Sequence, residues 1–289
     1  MRYFLLKSVW KLLSRIPLSV MYILSDGLFY PFYYLVRYRR KITRKNLILS
    51  FPEKSANEIK TIEKKFYRFF LDIIFETCKA ATISKKEIGR RMKFINPEVL
   101  NQLFLEKKSV SLYLGHYGNW EWVSSMPLYL NNNVKCGQIY HKIRNKLVDR
   151  LLYENRIRFD AINIEMKETI RWITDNNQSQ DITIIGYIAD QSPRKKHLKH
   201  YLHFLNRNAP VLTGTEKIAK RYGTDAFYVD IKRIKRGYYE ASFVQMHENP
   251  QSLPDFELTE IYFKLLEESI RKQPEVYLWS HNRFKYAKD

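Results

Sequence analysis

Short apolar runs alternate with helical patterns through most of this chain, and this alternation limits the fold more than any other feature. The runs, five to seven residues long and rich in β-branched and aromatic residues, cover 110–114, 134–140, 182–188, 227–231 and 239–244. Helical patterns accompany them at 120–130, 146–158, 167–176, 214–222 and 258–272. Strands that alternate with helices form a sheet covered by helices. The sequence therefore predicts an α/β fold, with a mixed β-sheet flanked by helices.

A long amphipathic helix is predicted ahead of the alternating region. Apolar residues recur at steps close to three and four from Asn57 to about Ala81, with lysine and arginine on the other face. No repeat or low-complexity tract divides the chain. We therefore predict one boundary, which separates a helical segment at 1–45 from a single domain at 46–289.

The segment at 1–45 is predicted to lie in or on a membrane. Residues 16–36, IPLSVMYILSDGLFYPFYYLV, carry one charge and have basic residues on both flanks. Their length is close to the roughly 20 residues of a spanning helix, but Asp26, Gly27 and Pro31 interrupt the apolar run. A single tilted span and a broken, in-plane helical hairpin both fit. A buried core helix is disfavoured by the basic flanks, and a cleaved signal peptide by the lack of a small-residue cleavage site.

Charge restricts the partners of the chain. Fifty Lys and Arg against 30 Asp and Glu give a net charge of +20, which favours nucleic acid, an anionic membrane face, or phosphorylated substrates with acidic carriers. A mean hydropathy of −0.44 excludes a bundle of membrane spans. Two distant cysteines, Cys78 and Cys136, indicate a reducing compartment rather than a disulfide scaffold.

The stretch SVSLYLGHYGNWEW holds the most informative candidate residues. An apolar strand leads into Gly115 and His116, and a helix is predicted to open near Asn119. Histidine at a strand end lies where α/β proteins bind ligands. On one helix His116 and Glu121 would lie about 140° apart, so they can meet only if His116 is in the turn, which Gly115 and Gly118 permit. Glu121 would then accept from one imidazole nitrogen and raise the basicity of the other. An ordinary strand-end histidine beside a surface glutamate is the alternative.

The same stretch resembles the H-x4-D/E motif of glycerolipid acyltransferases, within the lysophospholipid acyltransferase superfamily. Four more stretches are similar, in the same order, to the late or secondary branch of bacterial lipid A biosynthesis acyltransferases: VRYRRKITRKNLILSFPEKS, NKLVDRLLYENRIR, IGYIADQSP and PEVYLWSHNRFK. The first and last are highly characteristic of that branch. The chain has IADQ where the lysophosphatidic acid branch has a Pro-Glu-Gly-Thr block, and the sequence after Asp190 departs from the enterobacterial members.

This resemblance implies a glycerolipid acyltransferase-like catalytic domain at 46–289. The implied reaction moves a fatty acyl chain from an acyl carrier protein or acyl-CoA thioester to a hydroxyl of a lipid A precursor, on the cytoplasmic side of the inner membrane. It implies no cofactor, and its implied partners are acyl carrier protein, anionic membrane lipids and the glycolipid acceptor. The same chemistry on another glycolipid or an aminolipid is an alternative. A membrane-tethered nucleic-acid-binding protein is another, disfavoured because the basic residues are scattered and form no nucleic-acid-binding motif.

The resemblance also implies roles for individual residues. His116 would deprotonate the attacking hydroxyl, and Glu121 would stabilise the imidazolium that forms. Arg156 matches a functional arginine that would bind a phosphate or the developing oxyanion, whereas its position alone suggests a solvated helix face. Asp190 matches a carboxylate that follows the next apolar strand, at the edge where ligands bind. Further candidates for substrate binding or transition-state support are Asn119, Gln191 and Arg194.

Two other patterns are considered and receive no assigned chemistry. His197, His200 and His203 step by three, but no carboxylate or cysteine follows at zinc spacing, so we predict no metal site. The C-terminal YLWSHNRFK is predicted to be a terminal strand with one face near the site, without assigned chemistry.

Overall fold

A mixed sheet runs through the centre of the structure, a computed structural model that describes residues 2–131 and 133–288. The strands are β1 (Met92–Phe94), β2 (Val110–Leu114), β3 (Lys135–Tyr140), β4 (Ile162–Glu165), β5 (Thr183–Ile188), β6 (Tyr201–Phe204), β7 (Arg207–Pro210), β8 (Asp225–Lys235) and β9 (Tyr238–His247). The sheet order is β1-β9-β8-β2-β5-β3-β4, and β6 and β7 form a separate antiparallel pair. Within the sheet β8 and β9 are antiparallel and the other neighbours are parallel, so the predicted mixed α/β sheet is confirmed.

Helices precede the sheet and cover it. The α-helices are α1 (Arg2–Arg15), α2 (Leu18–Tyr30), α3 (Arg40–Ser50), α4 (Ala56–Lys79), α5 (Lys85–Arg91), α6 (Pro97–Leu105), α7 (Lys146–Arg156), α8 (Thr169–Gln178), α9 (Gly214–Tyr222) and α10 (Glu257–Lys272). A π-helical segment, Pro31–Val36, follows α2, and a 3-10 segment, Trp122–Tyr129, occupies most of the helix predicted at 120–130.

The centre of the sheet positions the candidate site. β2 is buried along its whole length, between β8 and β5. Its parallel register with β5 sets Leu114 opposite Ile188, and both strands end at these residues. Chain segments that leave the carboxyl ends of adjacent parallel strands emerge at one edge of the sheet. Residues that follow Leu114 and Ile188 are therefore held close together.

Helix α4 matches the predicted amphipathic helix and buries more than apolar residues. A capping box begins it, with the Ser55 side chain accepting from the backbone of Glu58 and the Glu58 side chain accepting from the backbone of Ser55. Its buried face also carries Glu63, Asp72 and Glu76. Buried carboxylates require partners, and here they bind residues from α2, α3, β8 and β9. Helix α4 is thus the element that joins the N-terminal helices to the sheet.

The N-terminal helices form a bent pair. No helix among the described residues is by itself long and apolar enough to cross a membrane, whereas the stretches Tyr3–Arg15 and Leu18–Val36, at 105° to each other, together reach that length and composition. The bend lies between Arg15 and Leu18, ahead of Asp26, Gly27 and Pro31, which interrupt the apolar run in the sequence. Contact with a membrane stays a prediction, as does the division at residue 45, which α3 crosses.

Helix α2 has one face against the protein and one face outside. Leu18, Met21 and Phe29 are buried, and α2 packs on α4. Asp26, which interrupts the apolar run, forms ion pairs with Arg236 at 2.8 Å and Arg68 at 3.4 Å. Apolar residues of α1, α2 and the π-helical segment remain exposed: Phe4, Leu5, Val9, Leu12, Leu13, Val20, Ile23, Leu24, Leu28, Leu35 and Val36.

The prediction of a terminal strand at YLWSHNRFK is wrong. A 3-10 turn, Pro274–Val276, is followed by a single antiparallel bridge between Tyr277 and Tyr117. The backbone of Leu278 then donates to the carbonyl of His116 at 3.0 Å. The segment pairs with the turn after β2 and then continues as a series of turns. It forms no strand because it meets that turn rather than the edge of a strand.

Candidate active site

His116 and Asp190 form a hydrogen-bonded pair at the carboxyl edge of the sheet. His116 follows β2 by two residues and Asp190 follows β5 by two. Nδ1 of His116 lies 2.7 Å from Oδ1 of Asp190. Since an ionised carboxylate only accepts hydrogen bonds, Nδ1 carries the proton and Nε2 of the neutral ring presents a lone pair. This arrangement suits His116 to accept a proton at Nε2.

Asp190 is ionised in this pair. Its side chain is almost fully buried, and burial alone would raise its pKa. The electrostatic interaction with His116, the hydrogen bonds from His116 and the charge of Arg283 outweigh the burial, so the pKa of Asp190 lies below its usual value. A buried anion beside Nδ1 stabilises the imidazolium that His116 becomes when it takes up a proton.

The predicted hydrogen bond between Glu121 and His116 is absent, and that expectation is wrong. Glu121 instead binds Arg156, with Nε of Arg156 at 2.9 Å from one carboxylate oxygen and Nη2 at 2.6 Å from the other. The planar fork of a guanidinium matches both oxygens at once, which a single imidazole nitrogen cannot do. Burial would raise the pKa of Glu121, but the charge of Arg156 and its hydrogen bonds lower the pKa below its usual value.

The turn that holds His116 depends on two glycines, as the sequence predicts. A Cβ at Gly115 would lie 2.6 Å from Cδ1 of Leu266 on α10. Gly118 has φ +59°, and a Cβ there would lie 2.6 Å from Cγ2 of Ile231 on β8. The turn therefore packs more closely against the protein than any side chain would allow.

Asn119 is buried and bound inward. Its Nδ2 donates to Glu76 at 2.7 Å, and its Oδ1 accepts from the backbone of Trp122 at 3.0 Å. This geometry makes Asn119 a support for the turn rather than a contact for substrate. These contacts do not favour the predicted role of Asn119 in substrate binding.

Glu76 is a member of the site that sequence reasoning missed. Besides Asn119, it accepts hydrogen bonds from the hydroxyls of Tyr22 at 2.8 Å and Tyr239 at 2.9 Å. Burial raises its pKa to about 7. A carboxylate three residues after Ile73 lies on the apolar face of α4, and that position was the signal available in the sequence.

Gln191 and Arg194 lie on the segment that follows Asp190. Nε2 of Gln191 is 3.1 Å from Nε2 of His116, so the amide covers the basic nitrogen of the pair. Nη2 of Arg194 is 3.2 Å from Nε2 of His141 at the exposed rim. The structure thus brings Gln191 to the His116–Asp190 pair and places Arg194 beside His141.

The C-terminal segment adds two residues, His281 and Arg283, for which the sequence analysis predicts no role. Burial lowers the pKa of His281 to about 4, so this imidazole stays neutral near His116 and Asp190. Arg283 is fully buried, donates from Nη1 to the carbonyl of Pro210 at 2.8 Å, and lies over the ring of Phe263. Both belong to the stretch WSHNRFK, whose dense polar and aromatic content was the only sequence signal.

The three histidines considered for a metal do not assemble a site. Among residues 2–131 and 133–288, no group of three or more His, Cys, Asp or Glu side chains could hold a metal ion. His200 instead stacks on Phe256 with ring centroids 4.2 Å apart.

Comparison with known proteins points to one family. The model of a family described as bacterial lipid A biosynthesis acyltransferase matches residues 1–286. The chain is also similar to a lipid A biosynthesis lauroyltransferase of Escherichia coli (strain K12), with 24% identity over 275 residues, which are 95% of this chain and 88% of that protein. The family match extends over the N-terminal helices and the sheet.

Proposed function

The chain belongs to the bacterial lipid A biosynthesis acyltransferase family and is an acyltransferase, and from this premise we propose that it transfers a fatty acyl chain from an acyl carrier protein or acyl-CoA thioester to a hydroxyl of a lipid A precursor. The observation that carries the mechanism is the His116–Asp190 hydrogen bond of 2.7 Å at the edge of the sheet. It supplies a base whose conjugate acid is stabilised by a buried anion.

In the proposed reaction, Nε2 of His116 removes the proton of the acceptor hydroxyl as its oxygen attacks the thioester carbonyl. The tetrahedral intermediate collapses with cleavage of the carbon–sulfur bond. The imidazolium returns its proton to the thiolate, so the products are the ester and the free thiol. Gln191, 3.1 Å from Nε2, occupies the direction from which the hydroxyl must approach, and its amide has to yield that position to the acceptor.

Arg156 and Glu121 act together in this proposal. Glu121 engages Nε and Nη2 of Arg156, which fixes the guanidinium plane and leaves Nη1 for an oxygen of the substrate. A fixed donor aimed at developing negative charge is worth more than one that must reorient during the reaction. Glu121 would therefore support catalysis by orienting Arg156 rather than by contacting His116.

The proposed location is the inner membrane, with the catalytic domain on its cytoplasmic side. The outward faces of α1 and α2 expose large aliphatic side chains, such as Leu5, 69% exposed, and Ile23, 70% exposed. Helices with one such face lie in the plane of the interface, with the apolar face inserted into the bilayer. This placement would bring a lipid hydroxyl to the enzyme without removing the lipid from the membrane.

Mass spectrometry of the lipid fraction from cells with and without the gene tests the reaction. A lipid A species one acyl chain heavier, present only with the gene, identifies both chain and acceptor. His116→Ala should abolish this species, while Glu121→Gln should reduce it less. A mass step on another glycolipid or on an aminolipid would reject lipid A as acceptor, and full activity of folded His116→Ala protein would reject the mechanism.

A further inference from the structure

A cavity of about 840 Å³ lies between α3, the first turns of α4 and the turn that joins β6 to β7. Its volume is typical of a site for a small amphiphile, since ligand pockets commonly hold about 300–1,000 Å³. Neither His116 nor Asp190 lines it, so the cavity is distinct from the candidate active site.

Basic side chains surround this cavity. The cationic lining residues are Arg40, Arg44, Lys54, Lys60 and Arg207, and the described lining contains no carboxylate. Buried Glu63 binds Nε of Arg40 at 2.8 Å and Nε of Arg44 at 2.7 Å from beneath. One carboxylate against two guanidinium groups leaves the cavity positive. Glu58, close by in sequence, is engaged in the cap of α4.

Apolar side chains complete the lining. Ile48, Leu49, Phe51 and Ile59 line the same cavity as the cations. Ile48 is 50% exposed, because it lies outside the buried face of α3. A lining that combines cations with the exposed aliphatic surface of Ile48 matches a ligand that carries both an anionic group and hydrocarbon.

The cavity also adjoins the N-terminal apolar segment. Arg40, which lines the cavity, lies over the ring of Tyr33 at 4.1 Å. Tyr33 belongs to the π-helical segment that ends with exposed Leu35 and Val36. If the exposed side chains of that segment insert in the bilayer, Arg40 and its neighbours lie at the depth of the phosphate groups.

We propose that this cavity binds the phosphate headgroup of an anionic membrane phospholipid. The phosphate contacts Arg44, Lys54 and Lys60, and the glycerol and first acyl carbons lie on Ile48 and Leu49. A concave cavity of this size accommodates one lipid headgroup, whereas the convex surface of a folded protein would fill it poorly. The proposed ligand is a lipid other than the acceptor. Its binding is measured directly, so the result does not depend on whether the protein transfers an acyl chain to lipid A.

The test is a calorimetric titration of the full-length protein, in nanodiscs of neutral phosphatidylcholine, with dihexanoylphosphatidylglycerol. Lys54→Ala/Lys60→Ala removes two lining charges. Lys41→Ala/Lys45→Ala removes the same charge from exposed positions on α3 that do not line the cavity, and is the matched control. Ala56→Phe fills the cavity from an exposed lining position without changing charge.

We expect the Lys54/Lys60 variant to bind the probe roughly tenfold more weakly and the Lys41/Lys45 variant to stay within about twofold of the parent. Ala56→Phe should also weaken binding, and inorganic phosphate and dihexanoylphosphatidylcholine should bind at least about tenfold more weakly than the probe. If the two double-lysine variants lost affinity for the probe equally, the surface potential alone would explain the binding, and the proposal would be overturned. The proposal would also be overturned if inorganic phosphate bound as tightly as the lipid. It would be overturned as well if the cavity variants lost affinity for an acidic carrier protein but kept their affinity for the lipid.

Discussion

His116 and Asp190 each lie two residues beyond a pair of strand-end residues that face one another, Leu114 on β2 and Ile188 on β5. The register of two neighbouring parallel strands therefore sets the Nδ1–Oδ1 distance of 2.7 Å. Tyr262 on α10 reinforces this edge by donating to the carbonyl of Leu114 at 2.6 Å. The candidate base is thus held by the sheet and α10, not by the helix that follows it in sequence.

Asp190→Asn should reduce acyl transfer by about 10²–10⁴-fold, because asparagine can still accept from Nδ1 but cannot stabilise an imidazolium. Asp181→Asn is the matched control, since Asp181 precedes the other end of β5 and pairs with Lys135 at 2.7 Å. The measurement is the initial rate in membranes with equal amounts of each protein. Unchanged activity in folded Asp190→Asn protein would remove Asp190 from the mechanism.

Arg156→Lys should lower activity by about 10²-fold or more, because the ammonium of lysine cannot hold both oxygens of Glu121 and still present a donor to substrate. Arg150→Lys is the control, since Arg150 is largely exposed on the same helix and its ion pair with Glu154 is 3.5 Å long. Arg158 is unsuitable as a control, because it binds the carbonyls of Ala80 and Ile83. Equal rates for the Arg156 and Arg150 variants would return Arg156 to a purely structural role.

A double-mutant cycle distinguishes orientation of Arg156 by Glu121 from two independent contributions. If Glu121 acts through Arg156, Glu121→Gln should add little to the loss that Arg156→Lys already causes. Initial rates of the parent, the two single variants and the double variant give the coupling. Losses that multiply fully would show that Glu121 contributes by another route, including direct action on His116.

Much of the fold follows from local sequence, and the site follows from it only in part. The helix predicted at 214–222 is α9 to the residue, and β2 likewise matches its apolar run. β4, only four residues long, is too short to give a clear periodic signal. The sequence identifies His116 and Asp190 as strand-end residues separately. Local sequence does not show that β2 and β5 are neighbours in the sheet. The hydrogen bond between His116 and Asp190 depends on that arrangement.

The exposed faces of the N-terminal helices should control membrane binding. Ile23→Asp/Leu35→Asp should release at least about tenfold more protein from membranes at high salt, because burying each aliphatic side chain contributes roughly 1.5–3 kcal/mol. Both side chains are at least 70% exposed, so the fold should be unaffected. Leu105→Asp on α6, a residue 72% exposed, is the control and should leave binding unchanged.

The fraction that sediments with washed membranes measures this prediction. Deleting residues 1–45 is a poorer test, because it also removes the buried side chains of Leu18, Met21 and Phe29 and uncovers α4. Equal release of the two aspartate variants would locate the membrane contact elsewhere on the surface.

Glu76 should make the stability of the protein depend on pH. Burial raises the pKa of Glu76 to about 7, whereas an unfolded glutamate titrates near 4.3. Between these values the folded state holds the proton that the unfolded state releases. The contribution of Glu76 to the free energy of unfolding therefore falls as pH rises from about 4.3 to 7, at no more than about 1.4 kcal/mol per pH unit, and then levels off.

Glu76→Gln should remove this part of the pH dependence. The amide oxygen can take the place of the oxygen that binds Asn119 and Tyr239, and the amide nitrogen can donate to the hydroxyl of Tyr22. Denaturant unfolding at pH 5, 6 and 7 measures the difference from the parent, which should be largest at pH 5 and shrink toward pH 7. Glu240→Gln, next to Tyr239 on the opposite face of β9, should give a curve parallel to the parent. A Glu76→Gln curve that also runs parallel would show that Glu76 is already ionised across this range, and that the three hydrogen bonds it accepts are enough to hold the charge.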